Sequence, residues 1–175
     1  MNVDRALDPG PVLRRAGPRD IPEIMAMMTD FHSEDRIPWH PRKAQRAISE
    51  LLANESYGIF WLIEVDGPSI GFLVLTLGFS LEFHGRTAFV DEFYMRPEFR
   101  RQGFGRKALH QMAEYCARHG IRAVQLEVEH ANPRVHRLYK REGFGDRGFY
   151  ILSKRIRISS QDEELTISEQ GERGL

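Results

Sequence analysis

The sequence contains little cysteine and carries no net charge. Cys116 is its only cysteine, so no disulfide can form within the chain, and 25 Lys and Arg residues balance 25 Asp and Glu residues. A balanced charge gives no general attraction to nucleic acid or to a membrane surface. The stretch MNVDRALDPGPVLRR also lacks the apolar segment of a secretory signal. We therefore expect a cytoplasmic protein whose partners include neither nucleic acid nor a membrane.

Long hydrophobic runs and metal-binding pairs are absent as well. The longest apolar run, IGFLVLTLGF from Ile70, is about half the roughly 20 residues that a membrane helix needs, and its β-forming residues indicate a buried strand. The seven histidines include no His-x-His or His-x-x-x-His pair, so no metal site is expected. Cys116 lies on the apolar stripe of a predicted helix, which favours packing over nucleophilic chemistry.

Turn residues and hydrophobic periodicity divide the chain into alternating strands and helices. The predicted strands are 12–17, 58–65, 70–79, 87–95, 122–129 and 148–158. The predicted helices are 18–32, 42–55, 103–119 and 133–142. This order indicates a single α/β (α+β) domain with a mixed central sheet of six to seven strands and helices on both faces. We expect the domain to span 12–157, between flexible tails at 1–11 and 158–175.

The stretch from Arg96 to Gly120 joins a basic segment with two glycines to an amphipathic helix. A helix that begins just after Gly103 leaves its first backbone N–H groups unpaired, and its partial positive charge at that end suits a phosphate or pyrophosphate. Gly103 and Gly105 would let the backbone approach such a ligand closely. The basic side chains around this turn are Arg100, Arg101, Arg106 and Lys107. A glycine turn with solvated arginines is the alternative interpretation.

Known phosphate-binding motifs distinguish these interpretations. The sequence has no G-x-x-x-x-G-K-[ST], and Ala108 stands where the dinucleotide motif G-x-G-x-x-G has its third glycine. After VDEFYMRPEFR, the turn instead resembles the acyl-CoA-binding motif R/Q-x-x-G-x-G/A of the GNAT superfamily of N-acyltransferases, with Arg100, Gly103 and Gly105 in its fixed positions. The glycine turn is therefore interpreted as an acyl-CoA site.

A second segment carries the same resemblance. NPRVHRLYKREGF, at 132–144, resembles the GNAT segment N-x-x-A-x-x-L-Y-x-x-x-G-F, and Val135 is its only departure. The two segments in this order and spacing are a stronger sign than either alone. The resemblance covers about 12–156 and implies a GNAT-like fold, with a sheet splayed near the cofactor site and acetyl-CoA as cosubstrate without a metal.

The resemblance also implies how acetyl-CoA is bound. The backbone at the end of the strand TAFVDEFYM would receive the acetyl and pantetheine portion, and the amides from Arg101 to Arg106 would hold the pyrophosphate. Asn132 would contact the pantetheine arm. The implied cofactor-binding residues are Phe93, Tyr94, Met95, Arg100, Arg101, Gln102, Gly103, Phe104, Gly105, Arg106 and Asn132.

Three residues are candidates for catalysis. Tyr139 falls on the family's general-acid position, where a phenol can protonate or hydrogen-bond a leaving thiolate; a core aromatic is the alternative. A substrate ammonium must also lose a proton, and Asp91 and Glu92 are the candidate bases. Neighbours on a strand point to opposite faces, so one carboxylate would line the acceptor site unless a bulge turns both inward. Asp91 aligns better with the carboxylate of diamine acetyltransferases, and structural salt bridges are the alternative for both residues.

Two functions remain open at this stage. The first is an N-acetyltransferase that moves the acetyl group of acetyl-CoA to a primary amine by direct attack, and the second is a non-catalytic acyl-CoA-binding sensor. The segment FHSEDRIPWH, with Phe31, Glu34, Asp35 and Trp39, would suit a cationic acceptor, although a solvated loop explains it equally well. The acceptor, a small-molecule or peptide amine, is not specified by the sequence. Members of the GNAT superfamily are often homodimers, so the resemblance implies a homodimer as one state of this chain. Whether acyl groups longer than acetyl are also transferred remains open.

Overall fold

The structure of the protein is a computed structural model, and it describes residues 10–34, 38–128, 132–154 and 156. Strands and helices alternate along these residues. The strands are β1 (Val12–Arg15), β2 (Gly58–Glu64), β3 (Ser69–Ser80), β4 (Gly85–Met95) and β5 (Ala123–Leu126). The α-helices are α1 (Ile21–Glu34), α2 (Pro41–Ala53), α3 (Phe104–Arg118) and α4 (Pro133–Arg141). Two compact units are distinguished, Met1–Phe144 and Gly145–Leu175.

One mixed sheet forms the centre of the first unit. Its order is β1-β2-β3-β4-β5, with antiparallel pairing up to β4 and a parallel pairing of β5 with β4. The predicted α/β class with a mixed sheet is confirmed. The predicted number of six to seven strands is wrong for the described residues, which form a sheet of five strands.

The sixth predicted strand, at 148–158, accounts for the difference. Its described residues, 148–154 and 156, include no strand. Phe149, Tyr150 and Leu152 are 77%, 87% and 94% exposed. Their composition favours an extended backbone, but a strand also needs a neighbour to pair its N–H and C=O groups, and composition does not supply one. The domain limits 12–157 and the flexible tails remain predictions.

Helices cover both faces of the sheet, as the sequence predicts. α1 and α2 pack on one face, where the core contains Ile24, Met27, Ile48, Phe60, Leu62, Phe72 and Val74. α3 and α4 pack on the other, where the core contains Ile59, Trp61, Leu73, Leu75, Leu109, Met112 and Tyr139. β2 and the first half of β3 are therefore buried on both faces, which explains their nearly continuous apolar sequence. None of the described helices is long and apolar enough to cross a membrane.

A short polar network fixes the start of α1. Asp20 ends a 3-10 turn (Pro18–Asp20) that precedes the helix, so the helix begins three residues later than predicted. The Asp20 carboxylate accepts hydrogen bonds from Arg14, at 2.9 and 3.0 Å, and from the Gly17 N–H at 2.7 Å. The hydrogen bonds from Arg14 are the main reason that the pKa of Asp20 is lowered.

Candidate active site

Strands β4 and β5 separate part-way along their length. Their pairing ends at Val90 and Leu126, whereas β4 continues to Met95, paired with β3 on its other side. The backbone around Phe93 and Tyr94 therefore has no partner from β5. This is the splay that the resemblance implies, and it leaves main-chain groups available to a ligand. Binding of the acetyl and pantetheine portion there stays a prediction.

A β-bulge in β4 lies at the point where the two strands separate. Glu92 pairs with Val74, but Leu75, the next residue of β3, pairs with Val90. Asp91 is consequently an extra residue without a partner in β3. A bulge redirects side chains that regular alternation would place on opposite faces, and both Asp91 and Glu92 line the same pocket. The sequence analysis allowed one exception to opposite faces, a bulge that turns both carboxylates inward, and the structure has this arrangement.

This pocket lies between the sheet and the helices α1 and α2, with a volume of about 390 Å³. Trp39 and His40 line the pocket directly before α2 begins. Pro41 can be the first residue of this helix because the first helical position requires no N–H partner. The main apolar lining residues are Met28, Trp39, Ile48, Leu51, Phe60 and Val74. The polar lining residues besides the two carboxylates are His32, His40, Lys43 and Thr76. The pocket thus combines apolar walls with a few polar groups, as small-molecule sites usually do.

Glu92 has the electrostatic properties of a base that works near neutral pH. Burial raises its pKa to about 7, and the neighbouring charge of Asp91 adds to the effect. Its Oε2 atom is buried and accepts no hydrogen bond from the described residues, while its Oε1 atom lies 3.8 Å from Nε2 of His32. Burial also raises the pKa of Asp91, but Asp91 is the more exposed residue of the two. Glu92 is therefore the better placed proton acceptor.

The segment FHSEDRIPWH contributes unequally to the pocket. The His32 ring lies 4.6 Å from the Trp39 ring, centre to centre, and both residues line the cavity. Phe31 instead packs on the core aromatics below α1. Glu34 bonds Arg100, with 2.6 Å between Oε2 and Nη2. Asp35 lies outside the described residues.

Sequence reasoning missed His32 and Lys43 as pocket residues. The signal was present in their helical spacing: His32 follows the pocket-lining Met28 by four residues, and Ala47 follows Lys43 by four, which places each pair on one helix face. Among the residues that the structure describes, no group of three or more His, Cys, Asp or Glu side chains could hold a metal ion.

The glycine turn before α3 has an unusual backbone. Arg101 and Gly103 have φ angles of 67° and 84°, in the left-handed region that favours glycine, and Gly103 directly precedes Phe104, the first residue of α3. Gly103, the N-cap residue, has no side chain to cap this helix start, so the first N–H groups of α3 lack that partner. A Cβ on Gly103 would meet no atom within 4 Å, whereas one on Gly105 would lie 3.3 Å from Phe93. Gly103 thus has a conformation that favours glycine, and at Gly105 an added side chain would press on the Phe93 ring.

Several predicted cofactor residues use their side chains within the protein. Arg100 donates to the Met95 carbonyl at 2.7 Å and also bonds Glu34. Gln102 donates to the Glu98 carbonyl at 2.7 Å. These bonds hold the turn in place.

The Tyr94 hydroxyl donates to Glu34 at 3.4 Å, and two further side chains with structural partners lie near α4. Arg106 donates to Glu142 at 2.8 Å, and the Asn132 side chain accepts a hydrogen bond from the Val135 N–H at 3.2 Å, which caps α4. Contacts of Asn132, and of the turn as a whole, with acetyl-CoA stay predictions.

Tyr139 is buried on the α3 and α4 face of the sheet. It is 8% exposed, its ring lies 5.5 Å from that of Phe144, and burial raises its pKa to about 12. Core packing is thus established, and the general-acid role stays a prediction. Cys116 is a buried packing residue beside Met112, as predicted, and burial raises its pKa to about 11.

Comparison with known proteins identifies the family. Residues 24–144, more than half of the chain, match the acetyltransferase (GNAT) family. The chain belongs to the GNAT family. An uncharacterized N-acetyltransferase of Archaeoglobus fulgidus is 26% identical over 130 residues, which cover 73% of this chain and 88% of that protein. The thialysine N-ε-acetyltransferase of Mus musculus is 25% identical over 146 residues, with 77% and 84% covered.

Solved structures show the same fold. An integron cassette protein from the mobile metagenome of Cole Harbour Salt Marsh has a TM-score of 0.75 and 33% identity, covering 90% of this chain and 97% of that one. A predicted acetyltransferase with acetyl-CoA from Clostridium acetobutylicum has a TM-score of 0.68 and 17% identity, with 82% and 96% covered. The second likeness shows the fold alone. The GNAT resemblance of the sequence is therefore confirmed.

Proposed function

We propose that this GNAT protein transfers the acetyl group of acetyl-CoA to a primary amine that binds in the pocket beside Asp91 and Glu92. The observation that carries the proposal is the bulge at Asp91, since it brings two carboxylates into one pocket at the point where β4 and β5 separate. An amine held there would lie next to the unpaired edge of β4. The relatives described as N-acetyltransferases support the same reaction class.

The two substrates would approach from opposite faces of the sheet. The pocket opens on the face covered by α1 and α2, whereas Tyr139 belongs to the core on the face of α3 and α4. The gap between β4 and β5 lies between them. This arrangement favours direct transfer, because the amine and the thioester can meet without an enzyme-bound acyl group.

Glu92 would remove the first proton. An ammonium ion cannot attack until its nitrogen has lost a proton, and the Glu92 carboxylate, with its pKa raised to about 7, can accept it directly or through water. The nitrogen then forms a bond to the carbonyl carbon of the thioester as the carbon–sulfur bond breaks, and the sulfur leaves with the bonding electron pair. The nitrogen loses a second proton as the amide forms. One of the two protons ends on the CoA sulfur, and the other is released to solvent.

Tyr139 would stabilise the departing sulfur by a hydrogen bond. With a pKa of about 12, its phenol is a weaker acid than a thiol, whose pKa is about 8.5, so complete proton transfer from Tyr139 is uphill. A hydrogen bond to a charged acceptor does not require that transfer. The CoA pyrophosphate would bind the backbone N–H groups from Arg101 to Arg106, where α3 begins.

The test is a panel of amines with acetyl-CoA, in which release of free CoA thiol is followed. We expect at least one amine to give thiol release above the hydrolysis background and one N-acetyl product per thiol. The double variant Asp91→Asn with Glu92→Gln is the control and should release far less. If acetyl-CoA binds with no amine-dependent release, the protein is an acyl-CoA-binding sensor and the proposal is wrong.

A further inference from the structure

The pocket beside Asp91 and Glu92 also contains positive charge. Lys43 lies in the first turn of α2, lines the cavity and is partly buried. It forms no ion pair with any described residue. His40, just before the helix, lines the pocket as well. The carboxylates belong to the sheet and Lys43 to the helix that covers it, so opposite charges lie on two separate walls.

The surface between these charges is apolar. Trp39, Ile48 and Phe60 are among the lining residues, and Ile48 and Phe60 are almost fully buried, at 5% and 3% exposure. Such walls favour the methylene groups of a ligand and offer a polar group few partners. A ligand that spans the pocket would therefore be charged at its ends and apolar in its middle.

We infer that the acceptor is an amino carboxylate with an aliphatic middle, whose ammonium lies beside Asp91 and Glu92 and whose carboxylate is bound by Lys43. This rests on the proposed function, because it names the class of acceptor for that site. An ammonium would relieve the repulsion between the two carboxylates, and the ligand carboxylate would give Lys43 the partner that no described residue supplies.

A diamine fits the same charges poorly. Its second ammonium would face Lys43, and like charges held close together repel each other most strongly where water is excluded. Among the described lining residues, the carboxylates are those of Asp91 and Glu92 in the sheet. The wall that α2 forms therefore has no carboxylate among these residues to bind a second ammonium. The inference therefore opposes a diamine as acceptor, which the alignment of Asp91 with the carboxylate of diamine acetyltransferases would favour.

Three amines with six carbon atoms separate the alternatives: ε-aminocaproate, hexylamine and hexamethylenediamine. They share one chain length and differ in the group at the far end, which is anionic, apolar or cationic. We expect ε-aminocaproate to have the highest kcat/KM, at least about tenfold above the diamine. A wild-type preference for hexamethylenediamine or for hexylamine would overturn the inference.

Lys43→Glu reverses the charge on the helix wall. We expect it to lower kcat/KM for ε-aminocaproate by at least about tenfold and to raise it for the diamine, with a smaller change for hexylamine than for either. Lys43→Met, which keeps the length of the side chain but removes its charge, should lower kcat/KM for ε-aminocaproate and raise it for the diamine, each by less than Lys43→Glu does. Arg118→Glu is the matched control, because it makes the same charge change at an exposed position in the last turn of α3. An equal loss for all three amines would indicate a structural role for Lys43 and overturn the inference.

Calorimetry keeps this inference separate from the proposed function. Binding of the three amines is measured on the enzyme with CoA present, where no acetyl transfer can occur. If ε-aminocaproate binds in a Lys43-dependent manner but no amine releases thiol from acetyl-CoA, the proposed function fails and the assigned ligand class stands. If thiol is released but the Lys43 variants do not discriminate among the amines, the function stands and the inference is wrong. Binding of none of the three amines would also overturn it.

Discussion

Asp91 and Glu92 follow each other in β4 and nevertheless line the same pocket, because Asp91 is the extra residue of a bulge. Their proximity has an electrostatic consequence, since the charge of Asp91 contributes to the raised pKa of Glu92. A bound cation would offset this repulsion and favour the ionised pair. Affinity for an amine and ionisation of the candidate base are therefore linked.

Exchanging the two carboxylates one at a time should separate their roles. Glu92→Gln removes the proposed base, so turnover should fall roughly 10²- to 10⁴-fold near neutral pH and recover at higher pH, where solvent deprotonates the amine. Asp91→Asn removes a charge that raises the Glu92 pKa, so activity should persist and its acidic limb, near pH 7 in the wild type, should move to lower pH. The measurement is kcat/KM against pH for the wild type and both variants. The same amine is used throughout, so the titration of the amine itself affects all three proteins equally.

The contrary outcome is equally specific. If Asp91→Asn shows the large loss with alkaline recovery and Glu92→Gln behaves like the wild type, Asp91 is the base, as the alignment with diamine acetyltransferases suggests. If neither variant gains activity at high pH, the losses come from structural damage.

The same raised pKa makes a prediction about stability. Glu92 has a pKa of about 7 when folded and an ordinary value of 4.5, so folding favours its protonated form. That contribution is complete below the unfolded value and is lost as the pH rises through the folded one. Glu92→Gln lacks this titration, so its free energy of unfolding relative to the wild type should rise by roughly 2–3 kcal/mol between pH 4.5 and about pH 8 and stay level above. Urea unfolding at several pH values measures the difference, and parallel curves would contradict the raised pKa.

The sequence predicts the fold well where signals are local. The glycine turn, the apolar stripes of α1 to α4 and the double-sided burial of β2 and β3 follow from spacing and composition, and two motifs indicate the family. Pairing between distant segments is less visible. The segment 148–158 has the composition of a strand, but composition cannot show whether a neighbouring strand accepts it.

The candidate site is predictable in its residue types but not in its geometry. The sequence names both carboxylates, but it cannot decide whether β4 contains a bulge, because one extra residue leaves no distinct pattern in a strand end. Lys43 belongs to the pocket only because α2 packs over the sheet. Arg100 looks like a phosphate ligand in sequence, yet its partners Met95 and Glu34 come from other elements.

Gly103 is expected to matter for acetyl-CoA binding through its backbone conformation. Gly103→Val places a β-branched residue at a φ of 84°, which should distort the turn, add a side chain where the ligand approaches, and weaken acetyl-CoA binding roughly 100-fold. Gly120→Val is the matched control, because Gly120 follows the other end of α3, has a φ of 67° and also has no atom within 4 Å of an added Cβ. It should lower stability by about 1–2 kcal/mol without changing affinity. Calorimetry measures the affinity of both variants for acetyl-CoA, and thermal unfolding measures their stability. If Gly103→Val bound acetyl-CoA as tightly as the wild type, Gly103 would only shape the turn.

Tyr139→Phe distinguishes a hydrogen bond to the leaving sulfur from simple core packing. The variant keeps the ring beside Phe144 and removes only the hydroxyl, so the fold should lose little stability. A hydrogen bond to a charged group contributes about 1.5–3 kcal/mol, so its loss should lower turnover roughly 10- to 100-fold while acetyl-CoA affinity is retained. Tyr115→Phe is the control: its hydroxyl accepts a hydrogen bond from Arg15 at 2.7 Å, away from the pocket, and its removal should leave turnover unchanged. Single-turnover rates with saturating acetyl-CoA measure the step itself. If Tyr139→Phe reacts at the wild-type rate at every pH, the hydroxyl has no part in thiolate departure and Tyr139 is a packing residue only.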